Sequence, residues 1–161
     1  MPASQIVRAT RKLRISVIAV AAFVIAAASV VALAATPAEM QKIRHEHYEK
    51  LGEDFKAVRD NSRGSPDWTV LEKASASIQE ATVNQMQWFP KGTGPEAGKT
   101  RALPEIWSKP AEFDAAQKMF ADRAPALVAA VKAKDADAVG KAFRELGGAC
   151  KNCHDNFRAP E

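Results

Sequence analysis

No run of residues in this chain reads as a β-strand, which excludes an all-β or a doubly wound α/β domain. Cysteine and histidine are scarce, with two and three in 161 residues. Both cysteines, Cys150 and Cys153, fall in one C-x-x-C, and the only histidines away from it are His45 and His47. A zinc site therefore lacks a convincing remaining ligand set. A thioredoxin-like redox couple lacks its βαβ frame. Excess charge of one sign is missing too. The chain has 23 Lys+Arg and 19 Asp+Glu, but four of the basic residues and none of the acidic ones lie in residues 1–34. The remainder carries 19 of each and is formally neutral, so the basic pI belongs to the N-terminal segment. Nothing in that balance calls for nucleic acid as a partner.

That N-terminal segment has the layout of an export signal. Arg8, Arg11, Lys12 and Arg14 precede an apolar run over 15–35, which ends in the A-x-A of Ala32-Leu33-Ala34. The expectation is a signal peptide over 1–34, cleaved after Ala34. Its length also suits an uncleaved membrane anchor. Either way residues 35–161 are exported, and in a bacterium they face the periplasm.

Residues 35–161 suffice for one domain, and their patterning is helical. Pro37 can open a first helix to about Arg59, with Ile43, His47 or Tyr48, Leu51, Phe55 and Val58 on one stripe. Ser65 as N-cap and Pro66 as first residue can open a second helix to about Gln87. Its inner face holds Leu71, Ala74 or Ser75, Ile78, Thr82 and Gln85. Proline and glycine make 89–109 a long loop, with Trp107 as an anchor back to the core. Pro110 opens a third helix carrying Phe113, Ala116, Phe120, Leu127 and Val131 inward, and Pro125 should kink or split it. After a turn at Lys134-Asp135, a last helix steps through Phe143, Leu146, Cys150, Cys153 or His154, and Phe157. The sum is an all-α, antiparallel four-helix bundle.

Cys150-Lys151-Asn152-Cys153-His154 is the attachment signature of c-type haem. Two cysteines three apart share a helix face and can form thioethers to both vinyl groups of one porphyrin. The adjoining histidine presents an imidazole to the iron. One covalently attached haem c is expected, held by Cys150 and Cys153, with His154 as axial ligand.

With that motif on the last of four helices, the chain resembles the cytochrome c prime family, the class II c-type cytochromes. The likeness runs over essentially all of 35–158. It includes Arg44, Leu51-Gly52 and Phe55, the stretch Ala102-Leu103-Pro104-Glu105-Ile106-Trp107-Ser108, and Gly148-Ala149 through Asn156-Phe157-Arg158. The resemblance implies that Arg44 pairs with a haem propionate and that His45 touches the haem edge. It places Thr100 and Arg101 on the propionate side and Arg158 at the proximal face. Tyr48 takes the position that decides axial coordination, with Leu51, Phe55 and Phe89 completing the distal pocket. A methionine there marks the low-spin branch of the family. A neutral phenol with a pKa near 10 is a poor ligand, so a five-coordinate, high-spin iron is expected.

The implied function is electron transfer, binding of small gases such as nitric oxide and carbon monoxide, or both, without enzymatic activity. Redox partner proteins and a homodimer through the first two helices are implied as well. One alternative is a six-coordinate, low-spin electron-transfer cytochrome, including a bis-histidine form using His45. Another is a haem peroxidase, for which the first helix offers no distal histidine–arginine pair over the iron.

Overall fold

The computed structural model describes residues 35–160, and the leader expected over 1–34 lies outside them. Four long helices carry the fold: α1 (Pro37–Asn61), α2 (Trp68–Asn84), α4 (Pro110–Lys132) and α5 (Ala136–Phe157). A four-residue helix, α3 (Glu105–Ser108), sits in the connection between α2 and α4. Short 3-10 turns at Gln85–Trp88 and Pro95–Ala97 precede it. No strand occurs among the described residues, only an isolated antiparallel bridge between Ala102 and Arg158. None of the described helices is long and apolar enough to cross a membrane.

The helix starts are chemically determined. Thr36 caps α1 in a capping box: its hydroxyl accepts from the Glu39 amide at 3.3 Å, and the Glu39 carboxylate accepts from the Thr36 amide at 2.7 Å. Pro37 follows at the first helical position, where its missing N–H costs nothing. Asp67, not Ser65, caps α2. Its carboxylate takes both the Thr69 and Val70 amides, at 3.0 and 3.1 Å, so the helix starts two residues later than Pro66 suggests. Asp135 caps α5 through the Ala138 amide at 3.0 Å.

Pro125 does not split α4, which runs unbroken from Pro110 to Lys132. Packing of Ala124, Leu127, Ala130 and Val131, each 7 % exposed or less, holds that turn helical despite the lost donor.

The apolar stripes meet in two clusters. The larger joins Leu51 and Val58 of α1, Leu71 and Ile78 of α2, Phe120 and Leu127 of α4, and Val139 and Leu146 of α5. Complete burial of a side chain such as Leu146 contributes about 1.5–3 kcal/mol. The smaller gathers Ile106, Phe113, Ala116 and Phe157, with Phe89, Trp107 and Cys153 packed against it. Around the bundle, α1 packs on α2, α2 on α4 and α4 on α5. The backbones of α1 and α5 stay apart, and that seam is spanned by side chains such as Phe55 and Phe143, with ring centres 5.7 Å apart.

Candidate functional site

That seam is where several of the sequence-predicted residues converge. Cys150 lies at the edge of the larger cluster and Cys153 at the edge of the smaller, one helical turn apart on α5. Both are free, half-buried thiols. Burial pushes the Cys150 thiol up to about 11, with the neighbouring Cys153 adding to the effect, and burial raises Cys153 as well. Among the described residues no group of three or more His, Cys, Asp or Glu could hold a metal ion, so the zinc reading gains no support.

Facing them from α1 stands Tyr48. Its ring meets Trp88 edge-on at 5.2 Å and Phe89 at 6.1 Å. Burial is the main cause that drives the phenol well above the ordinary tyrosine range. The two cysteines push the same way, and Arg44 opposes them. Tyr48 therefore stays a neutral phenol within the electrostatic reach of both thiols. Phe55 stacks on Phe120 at 6.1 Å, Phe89 meets Phe113 at 4.9 Å, and Leu51 lies buried in the larger cluster. These side chains form a mainly aromatic, partly buried group beside the thiols.

Arg44 is 4 % exposed. Its hydrogen bonds all go to uncharged oxygens: Nη1 donates to Trp88 O (3.3 Å) and Thr93 Oγ1 (3.1 Å), and Nη2 donates to Thr93 O (3.0 Å) and Thr100 Oγ1 (3.1 Å). Phe89 lies 4.8 Å beneath the guanidinium. Desolvation lowers the pKa of this group and no carboxylate offsets it. A buried cation without a counter-charge is costly, and a carboxylate on a group bound in the seam would supply one. Two half-buried thiols on one helix face, an aromatic wall and this cation fit a haem with its propionates.

On the outer side, His154 is exposed, with Nδ1 3.5 Å from Arg158 Nη1. Burial, then Arg158 and Arg101, lower its pKa, which favours the neutral imidazole that can ligate iron. Arg101 reaches the C-terminal tail. Its Nε and Nη2 donate to Ala159 O at 3.0 and 2.7 Å, and the Ala159 amide returns a bond to Arg101 O at 2.8 Å.

His45 is not brought to the seam, being exposed and paired with Glu49 at 3.2 Å. His47 is exposed as well and stacks on Trp88 at 4.4 Å. Sequence reasoning missed Thr93, which is 2 % exposed and central to the Arg44 network. It lies in a loop with no periodicity to mark it. Trp107 is the anchor its apolar context suggests, and its Nε1 also donates to Phe89 O and Pro90 O at 3.2 and 3.1 Å.

Known proteins with this arrangement are cytochromes. The family described as Cytochrome C' matches residues 39–158. A cytochrome c' of Pararhodospirillum photometricum is 36% identical over 128 residues, covering 77% of this chain and 99% of that protein. A solved cytochrome c' with ligand-controlled dimer dissociation superposes with a TM-score of 0.73 at 27% identity, covering 79% of this chain and 99% of the other. A nitric oxide complex of a mutant cytochrome c prime from Alcaligenes xylosoxidans gives 0.69 at 27% identity, covering 80% and 99%. Taken with the paired thiols on the last helix, these likenesses show that the chain belongs to the cytochrome c prime family, four-helix bundles carrying one covalently bound haem c.

Proposed function

We propose that the protein is a periplasmic haem protein with a five-coordinate, high-spin iron that exchanges electrons and binds small gases, nitric oxide and carbon monoxide in particular. The observation that carries this reading is Tyr48, a phenol held neutral by burial beside the two thiols, while the neighbouring His45 and His47 are exposed. When bound, the haem supplies a redox-active iron whose distal face can take a diatomic ligand.

The chain's own residues do the rest. Cys150 and Cys153 fix the group on α5, and His154 offers a neutral nitrogen from the same turn. Arg44 balances a carboxylate. Phe55 and Phe89 keep water out, and Tyr48 occupies the space a gas needs. An incoming ligand must wait for that ring to move, so its apparent affinity is reduced by the fraction of time the pocket is open. The nitric oxide complex belongs to a relative, and the same chemistry is proposed here because the chain shares that relative's family and fold.

A homodimer through α1 and α2 is part of this reading. The groove between these helices is lined in part by half-buried Met40, Ile43 and Ala81, and Val83 and Met86 on and just beyond α2 are exposed apolar side chains. No enzymatic step is proposed.

The test is an absorption spectrum of the ferric and ferrous protein with and without carbon monoxide. High-spin bands that convert on adding the gas support the reading. A ferrous spectrum already low-spin overturns it. Tyr48→Met should move the spectrum toward six-coordinate low-spin, because a thioether at that position can ligate.

A further inference from the structure

Arg44 has five N–H donors, and four are spent on residues 88–100. Only Nε is left for a carboxylate, so the guanidinium fork is built chiefly to hold protein. Thr93 answers it with both its carbonyl and its hydroxyl, and that hydroxyl donates onward to Pro90 O at 2.8 Å. From the preceding turn of α1, Gln41 Nε2 donates to Gly94 O at 2.7 Å. Phe89 is pinned from both sides of its peptide unit: Arg44 holds the carbonyl of Trp88, and Trp107 Nε1 holds the carbonyl of Phe89. The Phe89 ring then lies between the guanidinium, Tyr48 and Phe113.

We propose that Arg44 is a positioning residue, clamping segment 88–100 onto α1 through Thr93 so that Phe89 is fixed as a wall of the distal pocket, a role separable from its charge toward a haem carboxylate. This rests on the reading of Tyr48 and Phe89 as the distal face. The clamp also ties gas access to the loop. A ligand that displaces Tyr48 pushes against Phe89, and Phe89 can yield only as far as the Arg44–Thr93 bonds allow.

Two variants separate clamp from charge. Thr93→Val keeps the shape and removes the hydroxyl, leaving Arg44 and its charge in place. Arg44→Lys keeps the charge and removes the fork. Each is measured as loaded protein by amide hydrogen exchange over 89–100, carbon monoxide association after flash photolysis, and reduction potential.

Thr93→Val should speed exchange in this segment by about tenfold and gas association by about threefold or more, with the potential unchanged. Arg44→Lys should reproduce both accelerations. Wild-type exchange and association in Thr93→Val overturn the proposal, and so does faster exchange without faster association, which would leave Phe89 unaffected. An Arg44→Lys effect confined to the potential makes Arg44 a charge partner alone and likewise overturns it. If Arg44→Lys fails to load, Thr93→Val decides by the same criteria. A wild-type protein that takes no gas refutes the proposed function, and normal exchange in Thr93→Val then refutes the clamp independently.

Discussion

Removing the Tyr48 ring should open the distal face, and the size of the effect is set by what the ring touches. To admit a ligand, the ring must give up its edge-on contact with Trp88 at 5.2 Å and its tilted contact with Phe89 at 6.1 Å. Each aromatic pair is worth about 0.5–1.5 kcal/mol beyond its buried area, so opening costs about 1–3 kcal/mol. At about 1.4 kcal/mol per tenfold, the closed pocket slows entry by about 5-fold to 150-fold. Tyr48→Ala should recover that factor in the carbon monoxide association rate, measured by stopped-flow mixing with the ferrous protein. Tyr48→Phe should not, because it keeps the ring and with it the contacts to Trp88 and Phe89. A Tyr48→Ala rate within about twofold of wild type would refute the lid, since that is less than one such contact should yield. An equal gain in Tyr48→Phe would shift the barrier from the ring to its hydroxyl.

Three further outcomes are expected. Changing both Cys150 and Cys153 to serine should leave haem that acid acetone extracts, whereas wild-type haem should stay with the protein; retention in the double variant would refute thioether attachment. In haem-free folded protein, Cys150 with its thiol at about 11 should be about 100-fold less thiolate at pH 8 than an ordinary thiol at 9.0, so iodoacetamide should label it correspondingly slowly. Because the folded-state value is raised, the associated stability is complete below pH 9 and is lost as pH rises toward 11, which a thermal melt against pH will show. Asp67→Ala removes the acceptor for two amides at the start of α2 and should cost about 1 kcal/mol, or about 3–6 °C in the melting temperature.

The bundle is legible in the sequence because its stripes are strong: Phe113, Phe120, Leu127 and Val131 recur at helical spacing and are all buried. The attachment motif is legible because its chemistry is local to five residues. Boundaries are less so. Ser65-Pro66 makes a plausible helix start, but the choice falls to the neighbouring carboxylate of Asp67, which binds two amides at once. Pro125 does not split its helix, because the packing of its own turn keeps the helix continuous. Thr93 and the pairings made by this loop escape sequence reasoning for a different reason. Thr93 is defined by Arg44, 49 residues away, and Arg101 by Ala159, 58 residues away. No periodicity within 89–109 encodes such pairings. The sequence marks Arg44 for a carboxylate, while its grip on the loop is visible only once both are folded together.

The small bridge between Ala102 and Arg158 couples two parts of the molecule that would otherwise move separately. Leu103 N donates to Phe157 O at 3.0 Å and Ala159 N to Arg101 O at 2.8 Å, so the residues just past α5 are buckled to the connection between α2 and α4. The buckle sits one turn beyond His154. A displacement of that connection is therefore passed on to the end of the helix that bears Cys153 and His154, and the loop becomes a lever on the proximal side as well as a cover.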